Sequence, residues 1–124
     1  MKYQAISILN PAVENILNGS KSIEIRSWHP ETMPLNNVIL VQNKKYLKNQ
    51  MDVDFGVAMA IVDFVTVREW LYEDYLKQNQ DTTLNKPWSS GYFMWEIKNV
   101  RPLHKPIPCL ARKGIYTLDL DIDY

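Results

Sequence analysis

Cysteine is nearly absent. One thiol, Cys109, in 124 residues leaves no internal disulfide to form, which fits a chain kept in a reducing compartment. Neither sign of charge is in excess, with 14 Lys and Arg against 14 Asp and Glu. A dedicated duplex-DNA binder draws most of its affinity from phosphate neutralisation, so this balance argues against one and makes any nucleic-acid role local. Long apolar runs are missing too. The longest, Val57 to Val62, has six residues, far below the roughly 18 to 20 that a membrane-spanning helix needs. Gln4, Ser7, Asn10 and Pro11 interrupt the start of the chain before any apolar stretch reaches leader length. With neither span nor leader, a cytoplasmic protein is expected. No GxxxxGK[ST] or GxGxxG occurs, so nothing marks a nucleoside triphosphate or dinucleotide cradle. His29 and His104 are far apart, and no zinc-ligand spacing is present. No metal and no cofactor are therefore expected.

Four glycines and seven prolines are too few for a collagen-like or low-complexity chain. Hydrophobic residues make up 46% of the sequence, and a chain of this length buries roughly two-thirds of its unfolded surface, enough for one domain over residues 1–124 without staples. The charges are segregated along it. Lys98, Arg101, Lys105, Arg112 and Lys113 occur with no carboxylate between them, and Lys44, Lys45 and Lys48 form a second basic stretch. Glu69, Glu73, Asp74 and Asp81 gather elsewhere, and Asp119, Asp121 and Asp123 close the chain. The plain reading of such clusters is a set of solvated faces.

Alternating apolar residues over 4–9 predict a first strand, and Asn10-Pro11 then predicts a helix to Asn18, with Val13, Ile16 and Leu17 on its apolar face and Gly19 as its left-handed stop. Ser22 to Trp28 alternates as a strand, with Ile23 and Ile25 on one face and Glu24, Arg26 and Trp28 on the other. Val38 to Val41 suits a buried strand. Phe55 to Val67 is the longest strand candidate, bent near Gly56. Trp70, Leu71, Tyr75 and Leu76 fall at helical spacing, predicting an amphipathic helix of about ten residues. Gln78 to Lys86 reads as a polar, mobile connection. Strands are expected over 92–100 and 115–120, separated by a link whose Pro102, Pro106 and Pro108 do not suit the middle of a sheet. The sum is an α+β domain built on a mainly antiparallel or mixed barrel of five to six strands, with two or more short helices.

The most informative segment is Gly19-Ser20-Lys21-Ser22-Ile23-Glu24-Ile25-Arg26-Ser27-Trp28. Gly19 permits a positive-φ turn that delivers Lys21 to the start of a strand. Positions two apart on one strand face lie roughly 6.5 to 7 Å from each other, so Glu24 and Arg26 can meet one polar ligand together. A nucleobase would suit them: a carboxylate accepts from amino or ring N–H groups, a guanidinium donates to carbonyls or phosphate, and the Trp28 indole offers a stacking plane. The plain alternative is a surface ion pair, which contributes only about 0 to 1 kcal/mol. For Trp28 taken alone, burial against a neighbouring element is the expected role.

This G-x-K-x-x-E-x-R pattern, with the helix before it and the Tyr92-Phe93-Met94-Trp95-Glu96-Ile97 strand late in the chain, resembles the ASCH domain of the PUA-like superfamily. The resemblance implies a small β-barrel and a cleft for RNA or a nucleoside, with Lys21, Glu24, Arg26, Trp28 and Trp88 as ligand-binding residues. Lys44, Lys45, Lys48, Arg101 and Lys105 would grip phosphates. It also implies an alternative. ASCH-type acetylcytidine amidohydrolases share the Gly-x-Lys turn and the Ile25-Arg26 pair, and in them the lysine activates a threonine. Lys21 matches that lysine, but Glu24 stands where the threonine should, so a catalytic pair of Lys21 and Glu24 applies only if the protein is an enzyme, a small hydrolase acting on a modified pyrimidine nucleoside such as acetylcytidine or a ribonuclease. Glu69, Glu73 or Asp74 would be the acidic third member. Ser22 or Ser27 could supply a hydroxyl only within hydrogen-bond reach of about 2.6 to 3.2 Å. Trp70 and Trp95 fit core patterns, and Cys109 fits a small buried hydrophobe. A third reading, a protein-interaction module within a larger assembly, draws on the Trp70 to Leu76 helix and the neutral charge. It predicts an exposed apolar face there and a closed or featureless Glu24–Arg26 face.

Overall fold

Strand periodicity of two, applied to chain segments that are apolar at consecutive positions, gives elements buried on both faces. The computed structural model, which describes residues 1–122, builds its centre this way. The order is β1 (Lys2–Leu9), α1 (Ala12–Leu17), β2 (Ile23–Arg26), β3 (Leu35–Asn43), β4 (Val53–Glu69), α2 (Tyr72–Lys77), α3 (Gln80–Thr83), β5 (Phe93–Arg112) and β6 (Ile115–Asp119). The carboxylate expected at Asp123 lies outside the described residues. Six strands form one mixed sheet in the order β2-β5-β4-β3-β1-β6. β1 and β3 run parallel, and every other neighbouring pair is antiparallel. The α+β class holds, but the expected barrel is corrected: β2 and β6 end the sheet, and no ladder joins them among the described residues.

Residue parity sorts the core. Ile6, Ile8, Val38, Leu40, Ala60, Val62 and Phe64 pack with Trp95 and with Ala12, Val13 and Ile16 of α1. Ala5, Ile39, Val41, Ala58, Ile61, Leu103 and Ala111 form the second cluster. Ala58 and Ala60 share parity yet belong to different clusters because the β4–β5 register shifts between them, as a bulge requires. Gly56 marks a close approach of three strands. A Cβ there would stand 2.7 Å from Val41 Cγ1 and 3.2 Å from Ala111 Cβ.

Three local expectations are overturned. The amphipathic helix shrinks to α2, with no buried residue, because β4 and β5 stay paired out to Glu69 and Phe93 and the Trp70 N–H donates to the Tyr92 carbonyl at 2.9 Å. Trp70 is buried, but ahead of the helix, while Leu71, Tyr72 and Leu76 are exposed. Residues 78–86 are not a featureless polar link. Asn79 accepts the Thr82 N–H at 2.8 Å, and α3 follows with Thr82 and Thr83 buried. The proline-rich stretch lies inside β5, Pro102 opposite Ala60 and Pro108 opposite Val57. Beyond Ile97 this strand has β4 on one side and no second neighbour among the described residues, so a missing N–H on the open edge breaks no ladder.

Candidate functional site

The turn that closes α1 sets the site. Gly19 has φ of +88°, a value that favours glycine, and the Asn79 side-chain amide donates to the Ser20 carbonyl at 3.0 Å. Lys21 is thereby aimed inward rather than at solvent. Its Nζ donates to the carbonyls of Ile23 at 2.7 Å and Thr82 at 2.6 Å, and Glu24 Oε1 lies 3.4 Å away. Glu24 Oε2 accepts from Arg26 Nε at 2.8 Å and lies 2.8 Å from Arg26 Nη2. Nη2 also donates to the Ser7 carbonyl at 2.7 Å. The side chains of Lys21, Glu24 and Arg26 are 1%, 5% and 22% exposed. The plain alternative of a solvated surface pair is therefore excluded by burial. The face of β2 that carries Glu24 is not the outward one: Glu24 is buried, while Ile23 and Ile25 are only half-buried.

Burial lowers the pKa of Lys21, and Glu24 beside it pulls the other way. For Glu24, burial alone would raise the pKa, but the charges of Arg26 and Lys21 outweigh it and hold the carboxyl below its ordinary range. An ammonium has three donors, and here three acceptors face it. Among the described residues none of its hydrogen bonds goes to a serine or threonine hydroxyl.

This cluster floors a cavity of about 370 Å³, within the usual size of small-ligand sites. Lys21, Glu24, Arg26, Ser27, Trp28 and Lys45 line it, together with Ser7, Tyr46, Thr82, Thr83, Lys86, Tyr92, Arg112 and Lys113. Trp28 packs edge-on against Trp95, ring centres 5.0 Å apart, so it belongs to both cavity and core. Trp88 is not brought to the cavity lining: its indole donates to the Trp70 carbonyl at 3.1 Å and its ring meets Tyr72. Lys44, Lys48, Arg101 and Lys105 do not line the cavity either. Arg101 instead holds Asp63 at 3.1 Å and Asn37 at 2.9 Å. The basic stretch 98–113 reaches the cavity only through Arg112 and Lys113. Lys86, set 4.3 Å over the Tyr92 ring, escaped the sequence reading because 78–86 offered no periodicity. The Asn79-Gln80-Asp81-Thr82 capping pattern was the signal that could have placed α3 beside Lys21.

Glu69, Glu73 and Asp74 are not in the cavity lining, and Asp74 instead accepts the Leu71 N–H at 3.0 Å. Burial raises the Cys109 thiol pKa, which suits an inert packing role. Among the described residues no group of three or more His, Cys, Asp or Glu is placed to hold a metal, and no helix is long and apolar enough to cross a membrane. A family model described as the ASCH domain matches residues 6–107. No curated protein matches the chain.

Proposed function

The chain belongs to the ASCH domain family, which is generally one of RNA-binding, PUA-like domains, and from that premise we propose that its cavity holds a short single-stranded RNA segment. Phosphates sit on the rim and one base enters over the Glu24–Arg26 floor. The observation that carries this reading is charge segregation. In a chain balanced at 14 against 14, the lining holds Lys21, Arg26, Lys45, Lys86, Arg112 and Lys113 against one carboxylate among the described residues, that of Glu24. Glu24 is committed to Lys21 and Arg26, and among the described residues none of Lys45, Lys86, Arg112 and Lys113 forms a salt bridge, although Lys113 Nζ donates to the Lys48 carbonyl at 2.8 Å and Lys45 acts on Asp52 through charge. Trp28, Tyr46 and Tyr92 supply ring surfaces in the same hollow, and stacking on such rings is sequence-tolerant and suits unpaired bases.

Fluorescence anisotropy with a labelled single-stranded RNA, titrated between low and physiological salt, tests this. Each phosphate neutralised on a single strand contributes about −0.7 to the slope of log K against log salt, so three or four rim contacts give about −2 to −3. Lys45→Ala, Lys86→Ala, Arg112→Ala and Lys113→Ala should each weaken binding and flatten the slope by about 0.7. Lys105→Ala, which alters a side chain outside the lining, should change neither. A flat salt response, or a Lys105→Ala loss equal to the rim losses, removes the reading.

A further inference from the structure

A guanidinium carries five N–H bonds in a fixed planar fork. In Arg26 the inner side of that fork is spent: Nε and Nη2 face Glu24 Oε2, and Nη2 also reaches the Ser7 carbonyl. Nη1 has no partner among the described residues, and the side chain lines the cavity while remaining 22% exposed. The guanidinium is held on two sides, so the direction of its two remaining N–H bonds is set before a ligand arrives. The lining offers the opposite polarity poorly. Its one carboxylate among the described residues is Glu24, with one oxygen facing Lys21 and the other facing Arg26, and the Ser7 hydroxyl is paired with Tyr116 at 2.6 Å. At the Glu24–Arg26 floor the unspent polar group is therefore a donor, the Nη1 of Arg26.

We infer that the cavity floor selects a base edge bearing a carbonyl oxygen, as uracil does, over adenine, with the free Nη1 of Arg26 as the specificity-determining donor and Glu24 as the group that positions it. A carbonyl oxygen accepts from Nη1 directly. Adenine accepts at N1 and N7 as well, but each of these stands beside the exocyclic amino group, a donor whose natural partner would be the carboxylate that is already engaged. Phosphates have the rim cations, which leaves Nη1 at the base of the hollow for the nucleobase. This rests on the RNA reading above and deepens it.

Two homopolymers of equal length and charge, an eight-residue uridylate and an eight-residue adenylate, carry the test, with an abasic strand of the same length as the reference for backbone binding. Uridine and adenosine 5′-monophosphates as competitors remove the contribution of adenylate self-stacking. One hydrogen bond to a charged donor makes uridylate bind about tenfold tighter or more than adenylate. The monophosphates follow the same order. Arg26→Lys, which keeps the charge and loses the fork, brings the two strands to within about twofold while the salt slope stays that of the wild type. Equal binding of uridylate and adenylate by the wild type, both tighter than the abasic strand, overturns this inference and leaves the cleft standing, as does a preference for adenylate. Failure of all three strands to bind removes the cleft itself, and this inference with it.

Discussion

Replacing Glu24 with glutamine keeps the shape of the side chain and deletes the one negative charge between the buried Lys21 and the half-buried Arg26. The amide has a single acceptor oxygen, so it can face Lys21 or Arg26 but not both, and its own N–H₂ then points at a donor. Breaking a buried ion pair by removing one partner costs about 3 to 5 kcal/mol. The lower end applies here. Lys21 keeps the carbonyls of Ile23 and Thr82, and water reaches the 22%-exposed Arg26 side chain. A loss of about 3 kcal/mol in a domain of this size corresponds to a drop in Tm of about 10 to 12 °C. Differential scanning calorimetry of wild type, Glu24→Gln, Lys21→Met and the double variant closes a thermodynamic cycle. The coupling between the two positions should exceed about 1 kcal/mol, because once either charge is gone the other is already stranded. A Glu24→Gln loss below about 1 kcal/mol with additive single effects would mean that the cluster behaves like a solvated surface pair, and the claim of a locked guanidinium would fall with it.

The same carboxylate gives a pH signature. Its folded-state pKa is depressed, as is that of Asp63, so the stability it contributes is fully present above the ordinary carboxylate range and is lost as pH falls through the lowered value. Urea midpoints taken downward from pH 7 should therefore show the gap between wild type and Glu24→Gln narrowing in acid; a constant gap contradicts the assignment. Gly56→Ala places a methyl group 2.7 Å from Val41 Cγ1 and should cost about 1 to 3 kcal/mol by overpacking, read as a lower urea midpoint at unchanged m-value. Asn79→Ala removes the cap on Thr82 and the tie to Ser20. It should cost about 1 to 2 kcal/mol and, by loosening the Thr82 carbonyl that holds Lys21, speed amide exchange at Thr82 more than in β3.

The grouping of Lys21, Glu24, Arg26 and Trp28 was legible because a glycine stop and a two-residue period constrain it locally. The direction in which that group faces was not. Alternation assigns Ile23 and Ile25 to one side of β2 and Glu24 and Arg26 to the other, but which side is buried depends on what covers it. Here α3, a piece with no apolar periodicity, brings the Thr82 carbonyl onto Lys21. β5 shows the same limit from another side. Three prolines argue against a strand with two paired edges, yet a strand with one open edge accommodates them. The choice between Arg101 and Arg112 as a rim cation then follows from how far β5 runs: Arg101 lies opposite Ile61, beside the Asp63 it pairs with, while Arg112 lies opposite Val53 near the strand end.

Net charge was the weakest guide of all, for a reason visible in the acids. Asp52 accepts the N–H groups of Lys48 and Asn49 at 2.9 Å each. Asp54 accepts those of Lys44 and Lys45 at 3.1 and 3.0 Å, Asp63 that of Asn37 at 2.9 Å, and Asp119 meets the N-terminal ammonium at 3.0 Å. None of these carboxylates lines the cavity. They are consumed in closing turns and holding termini, and Asp54 in doing so fixes the backbone of Lys45 at the cavity rim. A bound polyanion responds to charges within a screening length of about 8 Å, so the groups in contact with it outweigh the sum over the chain. Zero net charge argues against an extended duplex footprint. It says nothing against a compact cationic hollow, and a salt slope that flattens in the rim variants alone is what separates the two.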